Sequence, residues 1–213
     1  YVTSDLQINN EMEKQEVIIV LLEDFADWET AHLAPALRAG IAIGPEVTPG
    51  RYEVKYLTPD GRPVRSLGGM RVEADYDASR LPERCAGLVL AGGLGWQSTE
   101  AERIAPLVEQ ALALRLPVGA ICNATLFLAA HGFLNKVRHT GNTAEMMEQW
   151  GGGRYTGRPL YEERQAVSDR GIVTANGTGY AEFAREMLRL LDADTEERIA
   201  AFYTFTKNGY YPA

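Results

Sequence analysis

Three features of the chain predict an α/β fold with a mostly parallel central sheet. Short aliphatic runs recur at Val17–Leu22, Gly87–Ala91 and Pro117–Ile121, and they are continuous rather than alternating, as strands covered on both faces require. Segments with apolar residues at helical spacing fall between them. The exits from these runs carry acidic residues, glycines or a cysteine, and in parallel α/β sheets ligands bind at the carboxyl ends of the strands.

Residues 1–15 are polar, lack periodicity and have no signal-peptide core, so they read as an N-terminal arm. The α/β domain is expected over 16–191 and a C-terminal helical extension over 192–213, packed on the domain or on a partner. After the first strand, Glu23 to Thr30 form an acidic junction; a helix through Leu33, Ala36 and Leu37 follows and Gly40 closes it. Residues 41–50 read as a loop and Tyr52–Leu57 as the second strand. Pro59-Asp60-Gly61 is a turn signal, and Val64 to Val72, with Gly68-Gly69, reads as a hairpin. The strand Gly87–Ala91 exits into Gly92-Gly93-Leu94-Gly95-Trp96, and a helix is expected over Ala101–Arg115. Pro117–Ile121 feeds Cys122, which is followed by an apolar helix that Gly132 can end. Lys136–His139 is a short extended piece, Thr143–Trp150 a helix, and residues 165–175 a hairpin around Asp169-Arg170-Gly171. Helices over Tyr180–Leu191 and Glu196–Lys207 complete the chain.

The 213 residues, 46% of them apolar, suit one domain with a sizeable core. A net charge of −8 without any basic cluster argues against a nucleic-acid partner. The apolar runs are too short to span a bilayer. The two cysteines, Cys85 and Cys122, form neither a disulfide framework nor a metal-spaced set, which suits a reducing cytoplasm. No His-x-x-His, Cys-x-x-Cys or His-x-Glu pattern occurs, so no metal is expected. Gly92–Gly95 lacks the dinucleotide and P-loop spacings, and no cofactor is expected.

Cys122 sits where a buried strand turns into a helix, with Ala120 and Ala124 two residues to either side. Small neighbours allow the close strand–helix approach of a nucleophile elbow, and the helix N-terminus favours thiolate. The same stretch also reads as a small core cysteine at a strand end. A thiolate attacking a carbonyl needs donors for the oxyanion. Gly92-Gly93 suits this role, or is simply a tight strand exit, and the Asn123 amide is the natural second donor. Glu29, on the first helical turn after strand one, is the acid placed beside the sulfur, with Glu23, Asp24 and Asp27 competing for that place. A protonated Glu29 would lower the thiol pKa and raise its own. Of three histidines, His32 reads as a surface residue and His131 as a helix C-terminal one, while chain order allows His139 to reach Cys122. Trp96 is either an aromatic pocket wall beside Gly92 or a packed loop residue.

Taken in order, strand–Glu29, Ala91-Gly92-Gly93, Ala120-Ile121-Cys122 and the following apolar helix resemble the ThiJ/PfpI superfamily, over roughly residues 16–191. The resemblance implies a flavodoxin-like three-layer sandwich, a homodimer or larger oligomer, and an oxidisable cysteine on an elbow with a glutamate beside it. It also implies activities such as peptidase or amidase, glyoxalase-type chemistry on reactive carbonyls, isocyanide hydration, or stress-responsive chaperone and redox-sensor roles. Asn123 stands where peptidase-type members carry histidine, and Asn176-Gly177-Thr178 stands where amidotransferases carry His-x-Glu. His139 occupies the kind of position that holds a histidine in glyoxalase-like members. The expected function is attack of Cys122 on a small-molecule carbonyl compound (amide, ester or α-oxoaldehyde), as an amidase or hydrolase or in glyoxalase-like chemistry, with Glu29 tuning the thiol, Gly93 and Asn123 holding the oxyanion and His139 moving protons. A non-catalytic redox or stress sensor using Cys122 oxidation is the alternative.

Overall fold

The computed structural model describes residues 14–209. The expected N-terminal arm lies outside the described residues except for its last two positions, as do Tyr210 and Tyr211. In chain order the elements are β1 (Glu16–Val20), α1 (Leu33–Arg38), β2 (Ala42–Ile43), β3 (Glu46–Val47), β4 (Glu53–Leu57), β5 (Val64–Arg65), β6 (Arg71–Val72), β7 (Cys85–Leu90), α2 (Ala105–Ala113), β8 (Val118–Ile121), α3 (Asn123–Ala130), α4 (Ala144–Gly151), β9 (Ala166–Asp169), β10 (Ile172–Ala175), α5 (Tyr180–Leu190) and α6 (Glu196–Asn208).

The central sheet has six strands in the order β4-β1-β7-β8-β10-β9. Its first five strands run parallel, and β9 closes one edge antiparallel to β10. The continuous aliphatic runs have the predicted meaning, because alternate residues enter opposite cores. Ile18, Val20 and Leu22 face a cluster shared with α2 and α3, whereas Val17, Ile19 and Leu21 face one shared with α1 and α5. This is the flavodoxin-like three-layer arrangement. α6 packs on α5, burying Ile199, and the Arg198 side chain donates to the Ile41 carbonyl.

The structure departs from the expected elements at four places. Glu29, expected on a first helical turn, lies in the irregular junction before α1. Residues 41–50, expected as a loop, contain the two-residue strands β2 and β3. The helix expected from Ala101 begins as 3-10 turns over Thr99–Ile104 and becomes α-helical only at Ala105. Pro106 explains the delay: it has no N–H to donate and its ring excludes the preceding carbonyl, so it is tolerated only in a helix's first turn. Lys136–His139 forms no strand, and only an isolated bridge joins His139 to Tyr161.

Candidate active site

β1, β7 and β8 are neighbours in the sheet, so their carboxyl ends meet in space. The junctions after them carry Glu29, Gly92-Gly93 and Cys122. Cys122 has φ 58° and ψ −129°, a conformation costly for a residue with a Cβ. Its backbone is tied on both sides: its N–H donates to Ala175 O at 2.9 Å, and its carbonyl accepts from the Thr125 N–H at 3.0 Å and the Thr125 hydroxyl at 2.7 Å. These bonds hold the elbow against its strain and aim the first amides of α3 at the sulfur.

Glu29 is 1% exposed. Its Oε2 accepts from the Gly92 N–H at 2.6 Å. Its Oε1 is buried without a hydrogen-bond partner and faces the side of the Cys122 sulfur, since a Cβ at Gly177 would stand 3.0 Å from Sγ and 3.5 Å from Oε1. Gly92 is the spacer that permits this approach. A Cβ there would stand 2.6 Å from Cys122 Cβ, 2.7 Å from Ile121 O and closer still to Glu29 Oε2. Gly92 is therefore buried behind the site and is not a pocket wall, contrary to expectation.

Burial pushes the Glu29 carboxyl up to about 7, against the lowering effect of hydrogen bonds from Cys122 and Gly92. The Cys122 thiol is also pushed up, first by burial and then by the Glu29 charge, while Asn142 and the Asn123 amide act the other way. The expected lowering of the thiol is thus reversed, with burial as the first cause. Two groups this close titrate as a pair, and the charge on either raises the cost of ionising the other.

Gly93, at φ 136°, faces Phe25 across an antiparallel bridge. The hydrogen bonds of that bridge run from Ala26 N–H to Gly92 O and from Leu94 N–H to Asp24 O, so the Gly93 amide takes no part in it. Its carbonyl accepts from Asn123 Nδ2 at 2.8 Å. The Asn123 backbone N–H, first in α3, favours the ionised sulfur beside it.

Three residues at the site were not singled out in the sequence. Asn142 Nδ2 lies 3.4 Å from Cys122 Sγ and 3.2 Å from Asn123 Oδ1, and its Oδ1 accepts from the Gly177 N–H at 2.9 Å. A Cβ at Gly177 would be 3.0 Å from the sulfur, so this glycine stands over it. Trp28, 47% exposed, donates through Nε1 to Gly177 O at 3.1 Å and brings an aromatic face to the site's rim. No local pattern marks these residues, because their role depends on which distant segments meet.

Two expectations are corrected. His139 is fully buried, with Nδ1 2.7 Å from Val137 O and Nε2 2.7 Å from Tyr155 OH, so both ring nitrogens are engaged away from Cys122. Burial also lowers its pKa. Trp96 is 3% exposed; its Nε1 donates to Ala91 O at 2.7 Å and its ring packs on Phe127, which places it in the core beneath the loop.

The cleft that adjoins the site has a volume of about 430 Å³ and runs from Asn142 and Thr143 to Arg164 and Asn176. A larger one of about 660 Å³ lies between Asp24, Arg62, Arg65 and Leu94. Neither cleft is lined by Glu29 or Cys122, and the smaller one reaches the sulfur only through Asn142. Among the described residues no group of three or more His, Cys, Asp or Glu side chains comes together as a metal would need, and no helix is long and apolar enough to cross a membrane.

The DJ-1/PfpI family model matches residues 15–190. The chain is 32% identical to "Uncharacterized protease YdeA" of Bacillus subtilis (strain 168), covering 92% of this chain and 93% of that protein. It is 30% identical to "Uncharacterized protease YoaZ" of the same organism, covering 92% of each. Among solved structures it is similar to a DJ-1 superfamily protein of Agrobacterium tumefaciens, with 35% identity, a TM-score of 0.79, and coverage of 92% of this chain and 100% of the other. It is also similar to a thiJ/pfpI family protein of Bacillus anthracis, with 28% identity, a TM-score of 0.83 and coverage of 93% of each chain.

Proposed function

The chain belongs to the DJ-1/PfpI family, and from that premise we propose that Cys122 adds to small carbonyl compounds, with Glu29 as its proton partner. The observation that carries this reading is the unpartnered, buried Glu29 Oε1 against the elbow sulfur. In the first step the S–H bond breaks, its proton passes to Oε1, and the sulfur forms a bond to the carbonyl carbon. The carbonyl π pair moves to oxygen, where the Gly93 and Asn123 amides receive it. Glu29 then returns the proton to that oxygen, giving a thiohemiacetal.

This reading is favoured over peptide hydrolysis, the activity in the printed names of the two Bacillus relatives. Carbonyl addition needs one group to take and return one proton, and Glu29 suffices. Amide hydrolysis must also protonate a leaving amine and activate water, and both ring nitrogens of His139 are engaged by Val137 and Tyr155. The contrast between the cysteines favours a second reading, selective oxidation of Cys122 as a redox sensor. Cys122 is half-buried, while the Cys85 thiol is buried and pushed up to about 11.

The test is one-to-one uptake of methylglyoxal, with turnover of an activated ester and a peptide amide, by wild type and Cys122→Ser. Reversible uptake of one equivalent of methylglyoxal by wild type, lost in the variant, is expected. Equal uptake by the two proteins would overturn the carbonyl reading. Loss of amide turnover alone would move the assignment to hydrolysis. Intact-mass measurement after dilute peroxide tests the second reading, which requires oxygen added at Cys122 and not at Cys85.

A further inference from the structure

We infer that Asn142 is a catalytic residue of this site: its side-chain amide, locked in one orientation by Gly177, holds the Cys122 sulfur as a thiolate once Glu29 has taken the proton. This rests on the proposed role of Cys122 and adds the donor that makes the ionised state accessible.

The orientation of the amide follows from its partners. The Gly177 N–H can only donate, so the atom of Asn142 that meets it at 2.9 Å must be the oxygen. That places Nδ2 on the other side, with one proton for Cys122 Sγ at 3.4 Å and one for Asn123 Oδ1 at 3.2 Å. Asn123 Nδ2 in turn donates to Gly93 O. One chain of amides therefore runs from Gly177 through Asn142 to Asn123 and Gly93, linking the sulfur to both oxyanion donors.

Such an amide is a donor without a charge and cannot take a proton. It favours S⁻ over S–H and leaves the proton transfer to Glu29: the S–H bond breaks, the Oε1–H bond forms, and Asn142 transfers nothing. A second carboxylate at this place would repel the thiolate, and an imidazole would compete with Glu29 for the proton. Glu29, from the β1–α1 junction, is the titratable group that acts on the sulfur. α3 contributes the Asn123 N–H, and the β10–α5 junction presents the backbone of Gly177.

The experiment is the rate of Cys122 alkylation by iodoacetamide across about pH 4 to 11, a range that covers the ordinary carboxylate and thiol values and extends above the latter. It compares the whole chain as wild type, Asn142→Ala and Asn142→Asp, with thermal unfolding of each. Asn142→Ala should raise the ionisation midpoint by about one pH unit and slow alkylation at neutral pH about tenfold, with the same plateau at high pH. Asn142→Asp keeps the acceptor for Gly177 and should raise the midpoint further. If Asn142→Ala does not fold, Asn142→Asp, which has the same shape, carries the test alone. An unchanged midpoint in the folded variants overturns the inference, whatever happens to thermal stability. Alkylation needs no substrate. Absent carbonyl uptake with a shifted midpoint would therefore overturn the proposed function alone, and normal uptake with an unshifted midpoint would overturn the role of Asn142 alone.

Discussion

The Gly92 N–H donates a 2.6 Å hydrogen bond to Glu29 Oε2, and that bond decides which carboxylate oxygen meets the sulfur. With Oε2 held by the exit of β7, Oε1 remains for Cys122 at the exit of β8. Three adjacent parallel strands thus supply the acid, the residue that positions it and the thiol.

Gly92→Ala should break this arrangement. The added Cβ meets backbone at Ile121 O, at 2.7 Å, as well as the Cys122 Cβ, and the backbone cannot swing aside as a flexible side chain would. Denaturant unfolding should show a loss of about 3 kcal/mol, with Cys122 alkylation altered in parallel. A loss well under 1 kcal/mol would mean that the junctions are more loosely packed than described.

Glu29 should make stability depend on pH. Its carboxyl is pushed from 4.5 up to about 7 by burial. Between these values the folded chain binds more protons than the unfolded one, so the contribution present below about pH 4.5 is lost as pH rises to about 7. Glu29→Gln keeps an acceptor for Gly92 and has no charge to bury. Its stability relative to wild type should rise across that window and then level off, by on the order of 3 kcal/mol. Unfolding curves on both sides of the window measure this, and a pH-independent difference would contradict it.

Cys122→Gly should be more stable than Cys122→Ala by about 1 kcal/mol. At φ 58° and ψ −129° alanine keeps the Cβ penalty and glycine does not. This exceeds the entropy that glycine adds to the unfolded chain, and a calorimetric comparison of the two variants reads the difference. A less stable glycine variant would show that the elbow is not strained.

Tyr155→Phe should destabilise the protein by about 1–3 kcal/mol, because it strands a buried His139 ring nitrogen. The alkylation rate of Cys122 should stay the same. A changed rate would bring His139 back into the chemistry.

Much of the fold was legible because its evidence is local. Unbroken aliphatic runs mark strands buried on both faces, and β1, β7 and β8 lie within two residues of the predicted segments. The backbone turn at Cys122 could be read for the same reason, since it sits directly at the exit of β8. The late start of α2 was also visible in principle at Pro106, although helical spacing continues through it.

The sequence by itself determined the layered parallel sheet, the family and which residues stand at the strand exits. Tertiary structure alone decided the sulfur's other neighbours: Asn142 and Gly177 come from segments 20 and more residues away, and His139 and Trp96 turn into the core. The physical reason is that periodicity records whether a side chain is buried, not which buried group it meets. Both His139 nitrogens found partners in Val137 and Tyr155, so nothing was left over for Cys122. The Asn142 amide had its oxygen claimed by Gly177, which turned its N–H groups to the thiol.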